Sequence, residues 1–226
     1  MARILCVSPM LLFLLSLPAS AGIWHVDDDT PAVALAQDGT SWDHAFDTIQ
    51  EAVDAASFDG GGEVWVATGV YTSTGDTVLV LNEQIHVYGG FLGHAIGGFE
   101  TSRSQRDWQT HATIIDGQSA RRCVLGANNA TLDGFTVANG KGYQPPMTPF
   151  SYGGGIHNEG VSPTIANCLI VGCSATYGAA VRNIDSSALF TRCVVLSCHS
   201  AHGETVSNGT GGAPRFVDCV FALNSA

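Results

Sequence analysis

Three segments decide the fold: Gly153-Gly154-Gly155-Ile156-His157-Asn158, Gly178-Ala179-Ala180-Val181-Arg182-Asn183 and Gly203-Glu204-Thr205-Val206-Ser207-Asn208. Glycine, a β-branched residue and asparagine recur in them at a constant step of 25 residues. Cys168 and Cys193 keep the same step, and Cys219 follows after 26, the extra residue falling between Asn208 and Cys219 in the stretch Gly209 to Gly212. A period of this length, built of short apolar runs between Gly, Asn and Ser, marks stacked structural repeats rather than a single globular core. Equivalent residues should then lie one above another, with Ile156, Val181 and Val206 pointing inward. Their neighbours His157, Arg182 and Ser207 would point outward as one row, because side chains alternate along a strand.

The chain as a whole divides into three parts. Residues 1–21 carry Arg3, an apolar run from Ile4 to Leu17 and the small-residue site Ala19-Ser20-Ala21, the pattern of a secretory signal peptide. Residues 22–62 hold a first strand and a helix. In that helix Ala45, Phe46, Ile49, Ala52, Val53 and Ala56 form one apolar stripe, Ser41 stands as its N-cap, and Gly60-Gly61-Gly62 ends it. A solenoid exposes interior and strand edge at its first coil, so this helix is expected to cover that end. Residues 63–226 read as short strands, broken by excursions over Gly89–His111 and over Lys141–Tyr152. The final stretch, Cys219 to Ala226, matches the part of a repeat before its glycine, and no capping segment follows. Self-association through that uncapped end is one expectation, and a longer parent chain is another.

Composition limits the partners. The formal net charge is −11 and Lys141 is the single lysine, which argues against nucleic acid and anionic lipid. No stretch after the signal approaches the ~20 apolar residues of a membrane-spanning helix. Six cysteines remain once Cys6 leaves with the signal, an even count in an oxidising compartment. Cys173 and Cys198 fall on neighbouring coils about 4.8 Å apart, so a bridge between them and a pair of buried thiols both fit the spacing.

The pattern resembles the secreted bacterial right-handed parallel β-helix proteins of the pectate-lyase-like superfamily. The likeness rests on Asp38-Gly39-Thr40-Ser41-Trp42, on Gly62-Glu63-Val64-Trp65-Val66-Ala67-Thr68-Gly69-Val70-Tyr71, on Arg106-Asp107-Trp108 and on Thr113-Ile114-Ile115-Asp116-Gly117. Gly153-Gly154-Gly155-Ile156 and Phe221-Ala222-Leu223-Asn224 resemble signatures of chlamydial polymorphic outer-membrane proteins. The resemblance implies an all-β right-handed solenoid with an N-terminal capping helix, secreted or held at the cell surface. For activity it implies less, since that superfamily holds lyases, hydrolases and adhesins.

The chemistry is therefore weighed residue by residue. His157, Arg182 and Ser207 form the candidate ligand row, with carbohydrate or another surface protein as its partner. Lyase chemistry would need carboxylates beside Arg182, and Glu159 and Asp185 lie beyond the asparagine turn while Glu204 is isolated. Hydrolysis would need two carboxylates about 5–9.5 Å apart. Asp116 and Asp133 are the candidates, although each precedes glycine and reads as a turn. Asp27 and Asp29, with Asp38, are the candidate calcium ligands and read otherwise as a solvated strand end. Asn158, Asn183 and Asn208 are expected to join their amides from coil to coil, and Arg192 and Asp218 to pair across neighbouring coils. The leading expectation is an exported, non-enzymatic β-helix with a binding, adhesion or scaffold role and no required cofactor. The alternative is a polysaccharide lyase or glycoside hydrolase acting on acidic glycans.

Overall fold

The structure is a computed structural model describing residues 22–29, 37–94 and 98–226, so residues 1–21, expected from the sequence to be a signal peptide, lie outside the described residues. Three parallel sheets form the sides of a right-handed coil. Face one stacks Gly22–Val26, Gly62–Ala67, Ile85–Phe91, Thr131–Asp133, Thr164–Ala166, Leu189–Thr191 and Arg215–Val217. Face two stacks Gly69–Tyr71, Thr113–Asp116, Thr136–Ala138, Leu169–Val171, Val194–Leu196 and Val220–Ala222. Face three stacks Thr77–Val80, Arg122–Leu125, Ile156–Glu159, Val181–Ile184 and Val206–Asn208. The chain visits the faces in turn and climbs one rung per circuit. The 25-residue step is a register: Ile156 pairs with Val181 and Val181 with Val206.

Each inward column fills the core with like on like. Ile165, Phe190 and Phe216 share one register on face one, and the two phenyl rings stack at 4.7 Å and 11°. Asparagine occupies the inward position two residues after Ile156, because the side-chain period is two. Asn158 Nδ2 donates to Asn183 Oδ1 at 2.8 Å, and Asn183 Nδ2 donates to Asn208 Oδ1 at 2.9 Å. An amide has a donor and an acceptor on opposite sides, so a column of them satisfies itself in the dry interior. The column stops at Gly126, where an added Cβ would collide with Asn158 Oδ1, and that oxygen is buried without a partner.

All six described cysteines are free thiols. Cys173 and Cys198 do not form the bridge that their spacing allows. Each thiol donates to the carbonyl two residues before it, Val171 and Leu196, both at 3.5 Å, so the two side chains hang in parallel. Cys123 joins them, and the hydrogen bond with Cys123 holds the Cys173 thiol well above its ordinary pKa, with burial adding to it.

The helix, α1 (Ile49–Phe58), covers the first coil as expected. Ile49, Ala52, Val53 and Ala56 are buried in the core cluster that also holds Val26, Val64 and Leu79. Burying a side chain the size of Ile49 or Val53 contributes about 1.5–3 kcal/mol. Its N-cap is Thr48 rather than Ser41: the Thr48 hydroxyl accepts from the Glu51 backbone N–H and donates to the Glu51 carboxylate. Ser41 instead precedes a separate 3₁₀ turn at Trp42–His44. The physical reason is the Thr-x-x-Glu spacing, which ties side chains to the helix start. α1 also seals a strand edge. The Gln50 amide accepts from Val80 N at 2.8 Å and donates to Val80 O at 3.3 Å, replacing the neighbouring strand that face three lacks there.

The first excursion packs on the outside of face one. Arg106 pairs with Asp133 at 2.8 Å and donates to the carbonyls of Gly89 and Asp133, while Arg103 pairs with Glu63 at 2.7 Å and lies over the Tyr88 ring. Trp42, Trp65, Ala67, Tyr88 and Phe91 form a second, smaller core there, with Trp65 and Phe91 stacked at 4.9 Å. Gly90 makes the close approach: at φ +93 any Cβ would meet the Trp108 backbone at 2.5 Å. Arg192 does not pair with Asp218. Its Nε donates back to Asn167 Oδ1 at 2.8 Å, and Asn167 Nδ2 donates to Asp133 Oδ1, so the corner column runs in the opposite direction. Among the described residues no helix is long and apolar enough to cross a membrane.

Candidate functional site

His157 sits in register between Leu125 and Arg182 on face three, as the alternation requires. It is not on an open row. Residues 141–152 form a small hairpin, with Tyr143 N donating to Tyr152 O at 3.1 Å and Tyr152 N to Tyr143 O at 2.9 Å. With that hairpin beside face three, His157 is left 9% exposed. The correction to the expected row is thus tertiary: a loop covers part of it. Ser207 pairs with Arg182 one rung further on and does not line the groove.

Arg122 carries the hairpin. Its Nε donates to Gly153 O at 2.8 Å and its Nη2 to Tyr152 O at 2.7 Å. Arg182 lies 4.3 Å from the centre of the Tyr152 ring, and Arg122 lies 5.7 Å from that of Tyr143. Tyr152 in turn stacks on Tyr177 at 5.9 Å. The outcome is a groove of about 600 Å³, with Val80, Leu125 and Ile184 as apolar wall and Arg122, His157, Glu159 and Arg182 as polar groups.

Its electrostatics are unusual for so acidic a chain. Burial draws the Arg122 guanidinium down to about 10, with Glu159 opposing the shift. Burial and then the neighbouring Arg122 charge hold His157 below its ordinary value, so its ring is neutral at neutral pH. His157 Nε2 lies 3.2 Å from Glu159 Oε2, and with the proton assigned to Nε2 the ring donates to that carboxylate. Glu159 thus ends the strand rather than lying beyond the turn, and it bonds to His157 and not to Arg182. The site presents two guanidinium groups, one neutral imidazole, one carboxylate and two phenol rings.

The acidic candidates fall elsewhere. Asp27 is buried and accepts from the backbone N–H groups of Asp29 and His94 at 3.1 and 2.7 Å, which fixes the turn after the first strand. Asp29 is exposed. Among the described residues no three His, Cys, Asp or Glu side chains gather to hold a metal ion. Asp116 accepts from Gln118 N at 2.7 Å, a turn role, and Asp133 anchors Arg106.

Four groove residues escaped the sequence reading as site members: Arg122, Tyr143, Tyr152 and Glu159. One signal for them was present. Tyr152, Tyr177 and His202 keep the 25-residue step, and in the structure Tyr152 stacks on Tyr177 while the His202 ring lies tilted beyond it at 6.4 Å. Arg122 carried no such signal, because the hairpin insertion breaks the count before the first regular repeat.

Residues 34–212 match the model of a family described as "Protein of unknown function (DUF1565)". No curated protein matches the chain, and no solved structure matches it.

Proposed function

Starting from the fact that the chain belongs to the DUF1565 family, we propose that it is an exported, non-enzymatic β-helix that binds carbohydrate in the groove on face three. The observation that carries this reading is the convergence of Tyr143 and Tyr152 with Arg122, Arg182, His157 and Glu159 around one open cleft. Sugar rings offer a C–H face that suits an aromatic wall and hydroxyl edges that suit planar guanidinium and carboxylate groups. Export and residence at the surface rest on the signal-like segment of residues 1–21, and kinship with the pectate-lyase-like superfamily on the motifs quoted above.

A glycan array followed by calorimetry tests the reading. Arg182→Ala and Tyr143→Ala each weaken the retained glycan about tenfold, equivalent to ~1.4 kcal/mol. Retention of no glycan, or an affinity in both variants equal to that of the parent, overturns it. A second reading, polysaccharide lyase, is favoured by one observation: two guanidinium groups, Arg122 and Arg182, stand with His157 and the Glu159 carboxylate around the same cleft. Ultraviolet absorbance from a new double bond, in uronate glycans incubated with the protein, decides between the two.

A further inference from the structure

The groove on face three does not end at Val80. A second groove of about 620 Å³ begins there, between that face and α1. Its polar groups include the hydroxyls of Thr72, Ser73, Thr74 and Thr77, with Gln118 and Arg121. Arg121 Nη1 donates to Gln118 Oε1 at 2.7 Å, which fixes both planar groups against each other. Val80 lines both grooves and is 39% exposed, so its side chain is a low apolar ridge between them. Val80 cannot shift freely, because the Gln50 amide holds both its N–H and its carbonyl on one edge and the strand Arg122–Leu125 pairs with it on the other.

We propose that the two grooves are one track for a linear polysaccharide, which lies across the rungs of face three and passes over Val80. This rests on the carbohydrate reading of the first groove and extends it to a ligand class, a chain rather than a terminal sugar. From Thr77–Val80 to Val181–Ile184 the sheet takes three steps, about 14 Å at the usual strand spacing, and the second groove adds the width of the helix cap. The two halves differ in chemistry. The half beside α1 offers neutral hydroxyl and amide groups with a single guanidinium, whereas the half beneath the hairpin offers aromatic rings and two guanidiniums. A single sugar would satisfy one half only. A chain satisfies both, with the Val80 methyl groups under the C–H face of a ring at the crossing point.

Calorimetry with two series of probes, cello-oligosaccharides and oligogalacturonides from dimer to hexamer, tests the track. In the series that binds, the hexamer binds at least tenfold more tightly than the dimer. The double variant Thr74→Ala/Arg121→Ala, remote from the first groove, removes that gain and leaves the affinity of a dimer held in the first groove unchanged. Thr72→Trp, at an exposed site that lines the second groove and not the first, obstructs the hexamer and spares the dimer. Melting temperatures equal to that of the parent show that both variants fold. A hexamer no tighter than the dimer, or indifferent to both variants, overturns the track while leaving binding in the first groove standing. Failure of every probe in both series overturns the carbohydrate reading and the track with it.

Discussion

The two excursions from the coil begin alike and end differently. The first, from Gly89 to His111, brings Arg103 and Arg106 onto face one, where Glu63 and Asp133 neutralise them. The Arg106–Asp133 pair is 12% and 16% exposed, and Arg106 also reaches two carbonyls, so the segment lies flat and closes over a small aromatic core. The second, from Lys141 to Tyr152, brings tyrosines, and the arginines come from the sheet beneath. Arg122 spends its hydrogen bonds on the carbonyls of Tyr152 and Gly153 and Arg182 lies on a ring, so neither guanidinium has a carboxylate of its own. Glu159 serves His157 instead and is largely in solvent. One insertion is thereby a lid on its own sheet and the other leaves charge and aromatic surface facing a cleft. An insertion becomes a site when its counter-charges are left out.

This contrast can be broken by experiment. Arg106→Ala strands the Asp133 carboxylate and costs about 3 kcal/mol, a drop in Tm of roughly 6–12 °C for a chain of this size. The matching change in the second excursion, Arg182→Ala, removes an aromatic contact without stranding an acid. Its stability should change by no more than about 0.5 kcal/mol, as is typical of surface changes, while ligand affinity falls. A large loss of stability in Arg182→Ala, or none in Arg106→Ala, would erase the distinction between cover and cleft.

A smaller effect calibrates the coil that both excursions share. Asn183→Ala leaves the Asn158 amide without an acceptor and the Asn208 oxygen without a donor. Denaturant unfolding should show a loss of about 1–3 kcal/mol per buried group left unsatisfied, with the Asn158 end dominating because Asn208 is exposed. The interior reading fails if this variant is neutral.

The smallest expected effect is on acidification. Burial lowers the pKa of His157 in the groove and of His25 near Trp42 and Trp65. The folded state therefore binds fewer protons than the unfolded chain once the pH falls below the ordinary histidine value of about 6.5. Stability from these two groups is complete above that value and is lost as the pH drops through it toward the depressed folded values. Tm measured from pH 7 to 5 should decline, and less steeply in His157→Gln. An unchanged slope in that variant would show that His157 is not held neutral.

The register of the repeats was legible because it is a local property repeated many times. Gly153, Ile156 and Asn158 recur as Gly178, Val181 and Asn183, and a one-residue slip of the pairing would bury the wrong face. The helix stripe was legible for the same reason, although its cap was misplaced at Ser41 because Thr48 and Glu51 lie inside the apolar pattern. The Arg192–Asp218 expectation failed because a column can pair upward or downward, and Asn167 offered Arg192 an acceptor in the other direction.

By itself, the order of residues determined the coil, the inward column of Ile156, Val181 and Val206 and the asparagine ladder, since side-chain alternation and a 25-residue step set all three. Only the tertiary structure decided where the hairpin of residues 141–152 lies, and hence that Arg122, Tyr143, Tyr152 and Glu159 share a cleft with His157 and Arg182. Repetition fixes neighbours on the sheet, whereas an insertion has no period. Its place is set by contacts between residues far apart in the chain, such as the Arg122 guanidinium and the Tyr152 carbonyl.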